Sequence, residues 1–261
     1  MLMNYKNVEV YYEDHGSGET VVLIHGFLEN SSMWTYLITQ LKSTNRVVCI
    51  DLLGHGKTGN LGYIHTMEEM AKSVMEVLKQ LKISAYSLIG HSMGGYVALS
   101  IAKYDPKAIR GICLMNSTYR ADTKERKLIR EKAIEMVRRN YELVVRSSFL
   151  NLFATESKTK FKEEIELALN EALQTSVQGY VAAQRGMMER QDHFEFFKTL
   201  NTEKLIIIGA KDPIMDGDRI IKETSGTTIN CEELSLGHMS HIENKSENTY
   251  FILQFIENIY S

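Results

Sequence analysis

The pentapeptide Gly90-His91-Ser92-Met93-Gly94 sets a serine between two glycines. It lies where an apolar run over residues 86–90 gives way to apolar residues at helical spacing over 93–102. A strand that enters a helix through so tight a turn leaves no room for side chains two positions either side of its centre, a demand met by Gly90, Gly94 and Gly95. The turn strains the backbone and lifts the Ser92 hydroxyl clear of the sheet. It also aims the Met93 amide and the helix N-terminus at negative charge developing beside the serine. This is the layout of a serine nucleophile. Its hydroxyl needs a base to take the proton and a carboxylate to orient that base.

Eight histidines compete for the role of base. His15, His65 and His193 sit in polar stretches away from strand ends and read as surface or cap residues. His91 flanks the serine and is expected to point away from it. His238 and His241 occupy a loop over residues 237–243, between a strand-like run at 229–236 and a final helical segment at 246–259. Three carboxylates, Asp212, Asp216 and Asp218, follow the apolar run at 205–208.

The elements that must hold these groups follow from hydrophobic patterning. Runs at 8–12, 20–25, 46–51, 86–90, 109–115 and 205–208 read as strands, and their near-continuous apolar character suits a sheet covered on both faces. Thr66 and Glu69 form a capping-box pattern ahead of Met70, Val74, Val77, Leu78 and Leu81 at helical spacing. The alternation of strand and helix predicts an α/β fold with a doubly wound, mostly parallel sheet. Residues 121–199 break the alternation with charged amphipathic stretches and no convincing strand. The expected organisation is therefore a core domain of residues 1–118 and 200–261, with a helical cap insertion over 119–199.

Further segments extend this pattern. Val21-Val22-Leu23-Ile24 runs into His25-Gly26-Phe27, and Asp51-Leu52-Leu53-Gly54-His55-Gly56-Lys57-Thr58 follows the next strand. Together with Gly209-Ala210-Lys211-Asp212 and Gly237-His238 through Glu243, these segments make the chain resemble the α/β-hydrolase fold family, in one consistent order. The resemblance covers residues 8–118 and 204–261. It implies that His238 is the base, ahead of His241, and that Asp212 is the orienting acid, ahead of Asp216 and Asp218. The chain order Ser, Asp, His is that of this fold. It further implies that the amides of Phe27 and Met93 form an oxyanion hole, with His25 bracing the loop and Asp51 serving structure alone. Ser92 in the nucleophile position argues against the haloalkane dehalogenases and epoxide hydrolases of this fold, which the resemblance associates with an aspartate there.

Residues 179–188 faintly resemble the last cap helix of small-ester and lactone hydrolases. Within it Arg185 is a candidate for binding a substrate carboxylate. Trp34, Met187, Met188, Phe194 and Phe197 are candidates for an apolar acyl pocket. The expected activity is hydrolysis of a small carboxylic ester or thioester through an acyl-enzyme. A carbon–carbon bond hydrolase or a lyase such as the menaquinone-pathway enzyme, and a ligand-binding receptor with little turnover, are the alternatives.

Bulk properties exclude other classes. The 30 Lys and Arg are outnumbered by 33 Asp and Glu, which argues against nucleic acid as a partner. No His/Cys/Asp cluster shows ligand spacing, so no metal and no cofactor is expected. Cys49, Cys113 and Cys231, odd in number and set in apolar runs, read as buried free thiols of a reducing compartment. The first ten residues lack an apolar signal core, and no run approaches a membrane span. The expectation is a cytoplasmic protein acting on a small-molecule acyl substrate, with the oligomeric state left open.

Overall fold

The computed structural model of the chain describes residues 1–260. Among them eight strands form one sheet in the order β1-β2-β4-β3-β5-β6-β7-β8: β1 (Leu2–Tyr5), β2 (Val8–Gly16), β3 (Glu19–Ile24), β4 (Asn45–Ile50), β5 (Tyr86–His91), β6 (Ile109–Met115), β7 (Glu203–Gly209) and β8 (Asn230–Leu234). The β1-β2 and β2-β4 pairs are antiparallel, and the remaining pairs are parallel. The chain is thus α/β with a mostly parallel, doubly wound sheet, as its alternating pattern predicts.

Helices α1 (Thr35–Leu41), α2 (Met67–Gln80) and α3 (Met93–Tyr104) follow β3, β4 and β5 respectively. Between β6 and β7 come α4 (Lys124–Val137), α5 (Tyr141–Leu150), α6 (Ser157–Lys160), α7 (Lys162–Ala172), α8 (Val177–Glu189) and α9 (Phe194–Thr199). Helix α10 (Gly217–Thr224) precedes β8, and α11 (Ser240–Glu243) and α12 (Lys245–Tyr260) close the chain.

Alternate residues of each parallel strand enter opposite layers, as the pleat requires. Val22, Ile24, Val48, Ile50, Leu88 and Leu114 pack with α2 and α3, whereas Val21, Leu23, Val47, Cys49, Ile89 and Met115 pack with α1 and α12. A third apolar cluster joins Val137, Val145, Phe149, Ile165, Leu169 and Tyr180 of the helical segment to Leu28, Met239 and Ile242 of the core loops. That third cluster seats the helices on the loops that follow β3 and β8.

Several expectations shift on contact with the fold. Thr66 caps α2 by accepting from the Glu69 amide at 3.1 Å, but the Glu69 carboxylate turns to Tyr5 and Lys6, which arrive from the distant β1 hairpin. His65 and His193 are buried, because α8 closes over the first and the second lies against Tyr119 at the start of α9; His15 stays part-exposed beside Glu13. Cys49 and Cys113 are buried thiols, while Cys231 is only half-buried, since β8 is the sheet edge. Among the described residues no helix is long and apolar enough to cross a membrane.

Candidate active site

Ser92 sits between β5 and α3 with φ 48° and ψ −113°, a left-handed conformation that a serine adopts only under constraint. The constraint comes from packing of the flanking glycines. A Cβ on Gly94 would lie 2.2 Å from the Ile24 carbonyl oxygen, and one on Gly90 would lie 2.4 Å from the Gly94 carbonyl oxygen. With those approaches available only to glycine, the turn closes, and the Ser117 hydroxyl pins it by donating to the Ser92 carbonyl at 2.6 Å.

The imidazole of His238 meets this hydroxyl, with Nε2 2.9 Å from Ser92 Oγ. On its other side Nδ1 is 2.7 Å from Asp212 Oδ2. Both side chains are almost fully buried, at 3% and 0% exposure, so the contact operates away from bulk water. The second carboxylate oxygen, Oδ1, accepts from the amides of Ile214 and Met215 at 2.8 and 3.1 Å. Burial would raise the Asp212 carboxyl, but the charge and hydrogen bond of His238, with those two amides, hold it below its usual range. An ionised carboxylate here fixes Nδ1–H and leaves Nε2 as an acceptor for the serine proton, which is what a base needs. Asp216 is exposed and caps α10 through the Arg219 amide, and Asp218 is exposed beside it. His241 lies behind His91, with ring centroids 5.5 Å apart, and burial pushes its pKa down to about 4.

Phe27 follows the β3 loop, whose geometry is set by two buried side chains. His25 donates from Nδ1 to the Gly26 carbonyl at 2.7 Å and accepts the Leu52 amide at Nε2 at 2.8 Å, tying the loop to the segment after β4. Asp51 accepts from the Ser31 and Lys57 amides at 2.7 and 2.8 Å. Among the described residues neither the Phe27 nor the Met93 amide is taken up by a turn or cap hydrogen bond. Phe27 and Ser92 line one cavity and Met93 follows Ser92 in the chain, which leaves two open amides available to an oxyanion.

Three supporting residues escape the sequence patterns. Glu29 Oε2 accepts the Gly26 amide at 2.6 Å and faces His91 Nδ1 at 2.7 Å. His91 therefore turns into the site instead of away from it, and its Nε2 donates to the His238 carbonyl at 3.0 Å. Asn116, at φ 45° directly after β6, donates to Asp212 Oδ2 and to the Gly237 carbonyl, each at 3.3 Å, and accepts from Ser240. The only signals in the sequence were a carboxylate three residues past His25-Gly26 and a polar residue at a strand end, neither of which is specific. Glu29, His91 and His241 bring potential ligand atoms within 4.8 Å of one another, but the closest pair is already joined at hydrogen-bond distance.

The Ser92 hydroxyl opens into a cavity of about 270 Å³ between the sheet and the helical segment. Its walls include Phe27, Leu152, Tyr180, Gln184, Met187 and Ile214. Tyr180, Gln184 and Met187 recur at helical spacing on α8, and that register decides what the rest of α8 does. Met188, one residue on, turns into the helical cluster, and Arg185 reaches out to the Tyr63 carbonyl at 3.4 Å, so neither lines the cavity. Trp34 also lies off the wall: the short helical turn at Ser31–Trp34 carries its indole under the opposite face of the sheet, against Leu37, Ile38 and Leu41. Phe194 and Phe197 pack on Tyr119, away from the cavity. Of the apolar candidates only Met187 is in place.

Residues 19–245 match the family model for the alpha/beta hydrolase fold. The 3-oxoadipate enol-lactonase 1 of Acinetobacter baylyi is 25% identical over 253 residues, covering 96% of this chain and 92% of that protein. A solved thermophilic esterase from Thermogutta terrifontis superposes with a TM-score of 0.90 at 27% identity, covering 97% of this chain and 95% of that one. The enol-lactonase from Burkholderia xenovorans gives a TM-score of 0.89 at 20% identity over 98% and 100% of the two chains, a likeness of fold. The family match spans most of the chain, and this protein belongs to the alpha/beta hydrolase fold family.

Proposed function

We propose that this protein hydrolyses a small carboxylic ester, lactone or thioester through an acyl-enzyme. Ser92 Oγ attacks the carbonyl carbon as His238 Nε2 takes its proton. Asp212 stabilises the imidazolium, and the Phe27 and Met93 amides receive the oxyanion. The protonated His238 then gives its proton to the leaving oxygen or sulfur. Water, deprotonated in turn by His238, cleaves the acyl-serine and returns the enzyme to its starting state. The helical segment over 119–199 acts as a cap that walls the cavity.

The observation that carries this reading is the unbroken contact from Ser92 Oγ through His238 to Asp212 at the floor of a largely apolar cavity. The esterase and enol-lactonase names of the relatives support the bond type. The test is labelling with a fluorophosphonate, read by intact mass. One adduct on the wild type and none on Ser92→Ala is expected. An unlabelled wild type, or a Ser92→Ala protein that keeps full ester turnover, would overturn the assignment.

A further inference from the structure

A second cavity, of about 250 Å³, lies directly beside the first, and the two share Tyr96, Arg126, Arg130 and Ile214. Its wall is rich in arginine: Arg120, Arg126, Arg130, Arg190 and Arg219 stand against Asp122, Asp216 and Glu223. Four of the arginines are matched by acids. Arg130 and Arg190 divide the two oxygens of Asp122 at 2.6 and 2.7 Å, and the buried Asp122 carboxylate is thereby fully used. Arg120 and Arg219 share Glu223, each at 2.8 Å, and Arg120 also reaches Asp192 at 3.0 Å. Asp216 is committed to the cap of α10.

Arg126 is the exception. Among the described residues its side chain makes no ion pair and no hydrogen bond, although it is only partly exposed and stands on the wall common to both cavities. Burial, then the neighbouring Arg130 charge, pushes its guanidinium below the usual value against a smaller opposing pull from Tyr96 and from Asp122, whose oxygens are already taken by Arg130 and Arg190, yet an arginine keeps its proton at neutral pH. A partly desolvated cation held beside another cation is unfavourable unless an anion answers it. The guanidinium fork suits a carboxylate or phosphate, which it can take through two parallel N–H donors.

We propose that Arg126 is the anion anchor of this site and that the substrate is an ester carrying a carboxylate or phosphate remote from its scissile carbonyl, with the anionic end seated in the second cavity. The proposal rests on the serine-hydrolase reading for its chemistry and adds the substrate class. It assigns the two cavities complementary duties. The apolar one receives the scissile carbonyl and its acyl chain, while the arginine-lined one receives the charge. Tyr96 and Ile214 form the passage between them.

The test uses the full chain and three probes: monomethyl glutarate, its neutral dimethyl ester, and 2-acetoxyethyl phosphate. The expected result is that the wild type favours at least one anionic probe over the neutral diester in kcat/KM. Arg126→Gln should cut that ratio about tenfold or more, mainly through KM, and Arg126→Lys should restore part of it. A preference for the phosphate probe alone, or for the hemi-ester alone, identifies which anion the anchor takes. Calorimetric binding of the anionic probes to Ser92→Ala, and its loss in Ser92→Ala/Arg126→Gln, reads the anchor without any turnover, so that failure of the hydrolase chemistry and failure of the anchor remain distinguishable. An anionic-to-neutral ratio that Arg126→Gln leaves unchanged, with anion binding equal in both Ser92→Ala proteins, would overturn the proposal.

Discussion

His91 Nε2 donates to the backbone carbonyl of His238 across 3.0 Å, although the two residues are 147 positions apart in the chain. Because the other nitrogen of His91 faces the Glu29 carboxylate at 2.7 Å, the ring meets an acceptor on both sides and carries a proton on each nitrogen. Burial lowers the His91 pKa, but the charge and hydrogen bond of Glu29 outweigh it and raise the group above its ordinary value. The Glu29 carboxyl is likewise raised by burial and lowered further by His91, to about 2. A buried ion pair thus holds the loop of the proposed base from behind, while Leu152 of the helical segment accepts the His238 amide at 2.9 Å.

The first prediction concerns this pair. The depressed carboxyl contributes stability that is present above its ordinary value of 4.5 and is lost as pH falls toward about 2. The raised imidazole contributes stability that is present below its ordinary value of 6.5 and is lost as pH rises through its folded value. The pair is therefore strongest between those two ordinary values. Glu29→Gln is expected to cost about 3 kcal/mol in that window, because it strands a buried charge. Urea titrations from pH 3 to 8 should show the mutant deficit shrinking on the acid side. Two parallel stability curves would contradict the assignment.

The second prediction concerns orientation of the proposed base. Asp212→Asn keeps the shape of the carboxylate but offers an amide where His238 Nδ1–H needs an acceptor, favouring the wrong tautomer. Turnover of an ester substrate is expected to fall by about four orders of magnitude with little change in KM. A loss of less than tenfold would move the orienting role to another group.

Third, the turn that carries the nucleophile depends on close backbone approach. Gly94→Ala places a methyl group 2.2 Å from the Ile24 carbonyl oxygen, so the helix must shift off β3. The expected outcome is a loss of about 3 kcal/mol or more, seen as a clear fall in the thermal midpoint. Gly62→Ala tests the opposite case, since nothing lies within 4 Å of its added carbon and only its φ of 73° opposes the change. A Gly94→Ala loss no larger than that of Gly62→Ala would contradict the packing argument, since Gly94 has no positive φ to strain.

A fourth prediction addresses the loop that unites acid and base. Asn116→Ala removes the amide that bridges Asp212 and the Gly237 carbonyl and leaves Ser240 without its acceptor. Ester turnover should fall about tenfold, and folding stability by about 1–3 kcal/mol. Asn116→Asp, which keeps the Ser240 acceptor but sets a second carboxylate beside Asp212, should lower turnover further. Equal activity of wild type and both variants would remove Asn116 from any positioning role.

What the chain declares on its own is the part that depends on neighbours in sequence. Apolar runs of four to seven residues announced the central strands, and glycines at fixed offsets announced the turn at Ser92, because pleat, pitch and steric clearance act over a few positions. Short segments at strand ends narrowed the base to His238 or His241 and the acid to Asp212, Asp216 or Asp218, and family resemblance favoured His238 and Asp212, the two that meet Ser92 and each other in the fold. Strands β1 and β8, at the two sheet edges, were missed or overextended, since an edge strand carries a weaker apolar signal. What the tertiary structure alone decided is everything set by distance through space. The phase of α8 chose Tyr180, Gln184 and Met187 for the cavity and turned Arg185 and Met188 away from it. Glu29 and His91 became partners only when β3 and β5 lay side by side. The unmatched charge of Arg126 was invisible in a chain with ample acidic residues, because an ion pair is a fact of a few ångströms and composition records only totals.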